Sequence, residues 1–460
     1  MIYWNNCLNY ILERKGNMKI KISDHFTFKK LFCFTLPSII MMVFTSIYGV
    51  VDGFFVSNYA GKTEFAAVNL IMPFLMILGS IGFMFGTGGS ALISKTIGEE
   101  KLEKAQRIFS LLVYTALIIG IVIAVLGIVF LKPIAILLGA DGDMLGYCVT
   151  YGRIILSALP AFILQYAFQS FFVAAGKPQL GLYVTIAAGV TNMILDWLLV
   201  GVLSLGVVGA AFATAASEMI GGIVPIIYFA RKNTSLLRLT KTKFMGKSIL
   251  KACTNGSSEL MSNISMSIVS MLYNMQLMKY AGEDGVAAYG VLMYVNFVFL
   301  AVFIGYSVGT SSVIGFNYGA QNHREIQGIL KKSTVIISIF AVCMLLLAQI
   351  FAKSIANIFV GYDSGLMDLT LHAFRISSFA FLFAGFAIYG SAFFTALNNG
   401  LISALISFLR TLVFQVAAVI IFPIILGING IWISIVAAEI VAALVTVIFI
   451  FAMRKKYHYL

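Results

Sequence analysis

The chain has 460 residues, of which 60% are hydrophobic and only 11% charged, with a mean hydropathy of +0.99. A soluble domain carries about 25% charged residues, and a chain this apolar cannot keep its side chains from water by folding alone, because surface grows too fast with size; lipid is the solvent it fits. The net charge of +13 does not mark a nucleic-acid binder, because Lys and Arg lie in the gaps between apolar runs and not on one amphipathic face.

Taken in chain order, residues 1–30 are basic and mixed, without a compact apolar segment and small-residue cleavage site, so no secretory signal is expected. Met18 is followed by Lys19, Lys21, Lys29 and Lys30, an ordinary start, and residues 1–17 read as a disordered or extraneous extension. Apolar windows then predict an all-α polytopic membrane protein of about twelve transmembrane helices. The expected spans are 32–58, 66–93, 107–131, 149–175, 180–201 and 206–230, then, after a basic segment, 252–279, 287–314, 332–352, 372–396, 401–426 and 430–453. This organises the chain as a cytoplasmic tail (1–30), a six-helix lobe (31–230), a cytoplasmic linker (231–251), a second six-helix lobe (252–453) and a cytoplasmic tail (454–460).

Both termini and the even-numbered loops hold most of the Lys and Arg; the odd loops hold only Lys62, Lys132, Lys279 and Lys353. The positive-inside rule therefore places both ends in the cytoplasm, in a cell or plasma membrane. Trp197 and Trp432 then fall near the outer interface, as an aromatic belt requires. Cysteines at 33, 148, 253 and 343 lie in or beside apolar runs without metal spacing and read as small core residues.

The halves repeat at a constant offset of 221 residues: Tyr59-Ala60-Gly61 recurs as Tyr280-Ala281-Gly282, Gly88 and Ser90 as Gly309 and Ser311, Gly98 as Gly319, Gly206 and Gly209 as Gly427 and Gly430, and Glu218 as Glu439. Six spans per repeat is an even number, so the two lobes share one orientation and are related by a pseudo-two-fold axis along the membrane normal, with the substrate path between them.

Ionisable groups inside spans mark function by default. Counting about 1.5 Å per residue, Asp52 in span 1, Asp196 in span 5 and Thr214 in span 6 lie at similar depth in the outer half of the N-terminal lobe. Asn192 is one turn from Asp196 on the same face. The repeat partners of Asp52 and Asp196 are Tyr273 and Ala417, so the carboxylates belong to one lobe only. Two close carboxylates in a low dielectric cannot both ionise cheaply, so such a pair can carry a proton; the same oxygens, dry and well spaced, can instead hold Na⁺. Asp52, Asn192, Asp196 and Thr214 are thus the expected coupling site for H⁺ or Na⁺, with Glu218, Glu259 and Glu439 as secondary candidates. Glu218 and Glu439, being repeat mates, suit a structural role equally well, and Glu259 lies near the cytoplasmic start of span 7 within reach of water. Arg410 is expected to pair inside its lobe or to snorkel, and His323 and His372 carry no metal spacing.

These residues also carry a resemblance. Pro37 with Asp52-Gly53-Phe54-Phe55-Val56, Ala66-Ala67-Val68-Asn69, Ala175-Gly176-Lys177-Pro178, Asn192-x-x-x-Asp196 and Gly209-Ala210-Ala211-x-Ala213-Thr214 resemble successive helices of the MATE (multidrug and toxic compound extrusion) transporters, over about 30–455, and most of all the bacterial MepA-like branch. The resemblance implies two six-helix lobes and antiport of H⁺ or Na⁺ against amphipathic, often cationic, small molecules, and it implies cation-site roles for Asp52, Asn192, Asp196 and Thr214. Some branches place key acidic residues deep in the C-terminal lobe; here Glu439 is the one mid-membrane acid there, so that site is not carried over.

The expected partners are amphipathic substrates and the bilayer, without nucleic acid or cofactor, and the chain is expected to act as a monomer. The alternative is a flippase for a lipid-linked saccharide or other amphiphile, which needs a more cationic cavity. An embedded enzyme is not expected, because no catalytic constellation shares a depth, and a channel fits one-sided acidic chemistry in a repeat less well than alternating access does. No G-x-x-x-x-G-K-[ST] motif is present, so an ion gradient is the expected energy source.

Overall fold

The computed structural model describes residues 20–361 and 363–459, with the side chain of Lys62 excepted; the extension read at 1–17 lies outside them. The described residues are almost wholly helical, with no strand among them. In hydrocarbon every backbone amide must be satisfied within its own segment, and a helix does this.

The helices are α1 (Phe28–Tyr59), α2 (Lys62–Gly98), α3 (Leu102–Leu137), α4 (Gly142–Ala174), α5 (Pro178–Leu195) continuing as a π-helical stretch (Asp196–Val202), and α6 (Gly206–Ala230). Then come α7 (Gly246–Gly319), α8 (His323–Val360), α9 (Ser364–Ser377) running through a short 3₁₀ turn into α10 (Phe381–Ala396), α11 (Gly400–Phe408) running through a π-helical stretch (Leu409–Val413) into α12 (Phe414–Leu426), and α13 (Ile428–Tyr457). Eleven of these continuous segments are long and apolar enough to cross a membrane. The 74 residues of α7 would reach about 110 Å as one helix, far beyond a hydrocarbon core of about 30 Å. The chain breaks there at Gly282, with φ 61° and ψ −149°, a conformation glycine tolerates, which makes two crossings and twelve in all.

Helices overrun the expected spans at many ends. Helix α8 starts at His323 and not at 332, and α4 at Gly142 and not at 149. Hydropathy sees the apolar part of a helix, whereas hydrogen bonding and capping carry it on into the polar region. Asn322 caps α8 by accepting from Glu325 N, and Asp363 caps α9 by accepting from Gly365 N and Leu366 N. Helix α7 likewise begins at Gly246, inside the segment expected as linker, and 231–245 is non-helical. That segment lies along α3: Gln106 donates to Leu236 O at 3.1 Å, and Thr240 N donates to Ser110 Oγ at 2.8 Å.

The 221-residue repeat is written into the backbone. Glu100 and Gln321 share positive φ (63° and 55°), as do Gly206 and Gly427 (54° and 59°). The repeat also builds the contact between lobes at the end of the bundle where the basic loops gather, here called the basic end. Gly88 of α2 lies against Ala252 O and Gly256 of α7; its mate Gly309 lies against Thr35 of α1. Gly98 meets Phe316 O, and its mate Gly319 meets Lys95 O. At Gly88, Gly98 and Gly319 the approach is of backbone on backbone, and Gly309 meets the Thr35 side chain as well as its backbone. Polar ties reinforce it: Glu325 accepts from Phe26 N at 2.8 Å and contacts His25 Nδ1 at 2.6 Å, and Asn398 donates to Ala91 O at 3.2 Å.

Two expectations are corrected. Trp197 is exposed, in keeping with a belt position, but Trp432 is fully buried in the core of the C-terminal lobe. It sits in one apolar cluster with Ala352, Phe374 and Phe381, because its helix face turns inward and not toward the interface. Cys148 is buried as expected, whereas Cys343 is exposed on the outside of α8, where lipid would accept an apolar thiol as readily as a core does.

Candidate functional site

The N-terminal lobe brings the four expected residues together. Thr214 Oγ1 donates to Asp52 Oδ1 at 3.3 Å, and Asp196 and Asn192 lie within hydrogen-bonding reach of the same carboxyl group. Asp52 and Thr214 are half-buried; Asn192 and Asp196 are buried, at 1% and 0% exposure. Asp52 comes from α1 and Thr214 from α6. Asn192 and Asp196 share a face of α5 one turn apart, and Asp196 opens the π-helical stretch. Such widened turns re-aim side chains and recur at functional sites.

No donor reaches either oxygen of Asp196, or Asn192 Oδ1, among the described residues. An ionised carboxylate is an acceptor only, and an unanswered buried polar atom costs about 1–3 kcal/mol. Asp52 and Asp196 facing one another are therefore satisfied when a proton lies between them or a cation sits against both. The donor set of two carboxylates, one amide oxygen and one hydroxyl is hard oxygen throughout and fits Na⁺ as well as H⁺. No group of three or more His, Cys, Asp or Glu is placed to hold a metal among the described residues, so Glu218 does not close a three-carboxylate centre with the pair.

Glu218 is nevertheless in the same lobe interior. It lies one turn along α6 from Thr214, 4% exposed, with Oε2 unpartnered, and within electrostatic reach of Asp52 and Tyr48. Tyr48, Tyr151 and Tyr294 also surround Asp52 and were missed in sequence. Tyr48 was legible: it is one turn before Asp52 on α1, the same spacing that joined Asn192 to Asp196. Tyr294 comes from α7 in the other lobe and had no sequence signal.

The C-terminal lobe answers its charges differently. Arg410 Nε donates to Glu439 Oε2 at 2.8 Å and to Oε1 at 3.1 Å. Both side chains are largely buried, so Arg410 pairs inside its lobe. Glu259 is half-buried thirteen residues into α7, facing Arg410 electrostatically, and is less open to water than its position suggested. Tyr273, the repeat mate of Asp52, is tied to Gln415 and Ser434, each at 2.8 Å. His323 packs against the ring of His458, and His372 Nε2 lies 2.8 Å from Asn429 Oδ1, both without metal geometry.

The MatE family model matches residues 37–198 and 260–421, one segment in each half. The multidrug export protein MepA of Staphylococcus haemolyticus is 28% identical, covering 93% of this chain and 94% of that protein; MepA of Staphylococcus aureus is 25% identical over the same shares. Among solved structures, an outward-facing multidrug resistance MATE family transporter of the MOP superfamily superposes with a TM-score of 0.89 at 24% identity, covering 96% of this chain and 100% of that one. A MOP superfamily transporter from Pyrococcus furiosus gives 0.86 at 24% identity, covering 92% and 95%. The chain is a multi-pass membrane protein, and with the family model matched across both halves it belongs to the MATE family of membrane transporters.

Proposed function

We propose that this protein is a secondary multidrug exporter that exchanges H⁺ or Na⁺ for amphipathic, cationic small molecules by alternating access, as a monomer in the plasma membrane with its basic end in the cytoplasm. The observation that carries the reading is the set of buried oxygens on Asn192 and Asp196 that find no donor beside Asp52. A coupling ion supplies what the fold withholds: H⁺ bridges the two carboxyls, or Na⁺ sits among Asp52, Asn192, Asp196 and Thr214. The names of the staphylococcal relatives support multidrug cargo. The charge balance supports a cationic one, since Arg410, deep in the C-terminal lobe, is held by Glu439 and so is not left to bind phosphate. In this reading the glycine contacts hold the cytoplasmic side shut while the coupling ion loads from outside.

The test is efflux of a fluorescent cationic dye from proteoliposomes under a pH gradient or a Na⁺ gradient, with wild type, Asp52→Asn and Asp196→Asn. One gradient should drive efflux, and each variant should lose at least about a hundredfold in rate, the scale of a positioned proton-transfer group, while still binding dye. If neither gradient moves dye, or both variants transport normally, the carboxyl pair is structural and a flippase for an anionic amphiphile becomes the better reading.

A further inference from the structure

Below the carboxyl pair, the N-terminal lobe holds a second series of buried polar groups that packing alone does not explain. Tyr48 lies one turn from Asp52 toward the basic end, with Asp52 and Glu218 both in electrostatic reach. Its hydroxyl accepts from Gln165 Nε2 at 3.3 Å, which leaves its own proton free to point at either acid. Gln165 lies over Gly221, less than one turn beyond Glu218 on α6, and only glycine leaves it room there. Gln165 Oε1, both polar atoms of Gln169 and Glu218 Oε2 have no partner among the described residues. All three side chains are at most 5% exposed. Beside them is a cavity of about 10 Å³ lined by Gln165, Gln169 and Thr185 together with Gly181, Gly221 and apolar neighbours, room for about one water.

The order of these groups is also an order in depth. Helix α4 reaches the basic end at Ala174, so Gln165 and Gln169 lie nine and five residues from it; α5 leaves that end at Pro178, with Thr185 seven residues in. The series thus runs from the Asp52 site toward the basic end among residues of the N-terminal lobe. The repeat mates offer no such series: Glu439 is locked by Arg410, whose own repeat position in the N-terminal lobe is Gly189, with Tyr48 packed against it.

We propose that Tyr48, Glu218, Gln165, Gln169 and Thr185 form an internal proton route, separate from the drug path, which carries the coupling proton from Asp52 and Asp196 to the basic end. The proposal rests on the proton-coupled form of the function above. The step is a transfer without redox change. The O–H bond of the protonated carboxyl pair breaks and one forms at Glu218, directly or through the Tyr48 hydroxyl. Glu218 then passes the proton to water held by Gln165, Gln169 and Thr185, and from there it reaches bulk water. The amides position that water and do not themselves titrate. The groups facing Glu218 are Asp52 and Tyr48 from α1 and Tyr151 and Tyr166 from α4.

The test uses the full chain in proteoliposomes with a trapped pH indicator, and reads proton movement on addition of a cationic dye alongside dye binding. Gln169→Met keeps side-chain length and removes both polar atoms. It should lower the maximal dye-driven proton flux by about tenfold, less than the roughly hundredfold or more of a group that itself transfers the proton because Gln169 only positions water, with the half-saturating dye concentration unchanged. Gln169→Ser, which leaves space for another water, should recover most of the flux, whereas a purely structural role would make it the worse variant. If Gln169→Met fails to bind dye, Thr185→Val, a hydroxyl-to-methyl exchange, decides on the same readout. Wild-type flux in Gln169→Met or Thr185→Val overturns the route. Wild-type dye export driven by Na⁺ alone, with no proton movement, overturns the route and leaves the exporter reading standing. Dye movement under neither gradient removes both.

Discussion

A charge inside a membrane-spanning lobe is tolerated where a neighbour answers it, and the two lobes answer theirs in opposite ways. Arg410 and Glu439 answer each other, at 2.8 and 3.1 Å. Removing either partner should destabilise the protein by about 3–5 kcal/mol, because an uncompensated charge remains buried. Arg410→Met combined with Glu439→Leu should cost much less than either single change; thermal melting of the four proteins in detergent checks the cycle, and additive losses would show that the pair is not coupled. Asp196 behaves in the reverse sense, since no donor reaches its carboxyl group. Replacing Asp196 by Asn should therefore leave melting nearly unchanged or raise it, while abolishing coupled transport, and a large drop in melting temperature would mark a structural role. The separation between these residues was partly legible in sequence. The offset showed that Asp52 and Asp196 lack acidic mates, but nothing in the sequence said that Arg410 faces Glu439, because their pairing depends on how α11 and α13 lie together.

At the scale of elements, the π-helical stretches at Asp196–Val202 and Leu409–Val413 fall in corresponding helices of the two lobes. Each sits where its lobe holds a key charge, Asp196 in one and Arg410 in the other. Periodicity cannot announce them, since one extra residue in a turn leaves the apolar pattern almost intact. The glycines between lobes were legible as repeat mates, though not their partners. Gly98 and Gly319 approach backbone carbonyls that cannot move aside. Gly98→Ala and Gly319→Ala should each force the lobes apart at the basic end, at an overpacking cost of about 1–3 kcal/mol. A cysteine placed at Ser94, which is fully buried in the structure, should become reactive toward an impermeant thiol reagent in both variants. Unchanged protection would mean that the contact is looser than it stands here.

At the scale of the whole molecule, the repeat supplies a symmetric frame and the side chains break its symmetry. Contacts between lobes come as mates, Gly88 with Gly309 and Gly98 with Gly319, as rocking about a two-fold axis requires. Among the described residues the buried carboxyl oxygens without a partner lie in one lobe, so a change of ion occupancy there can bias a motion that the frame itself leaves balanced. A ligand shifts such an equilibrium only by its differential affinity for the two states. Addition of the coupling ion should therefore change the distance between labels across the basic end in wild type and leave it fixed in Asp52→Asn. Spin-label distances measured with and without the ion check this, and an ion-dependent change surviving in Asp52→Asn would place the coupling elsewhere.

Composition alone determined that this chain lives in lipid, because 11% charge cannot clothe a surface in water. Hydropathy and the offset determined the number of crossings and their repetition, since both are properties of order along the chain. Depth counting along helices brought Asp52, Asn192, Asp196 and Thr214 to one level, and rise per residue is fixed whatever the packing. Rotation is not fixed in that way. Which way each helix faces is settled by its neighbours, and so only the tertiary structure turned Trp432 into the core, aimed Arg410 at Glu439, brought Tyr294 across from the other lobe, and strung Glu218, Gln165 and Gln169 beneath the carboxyl pair.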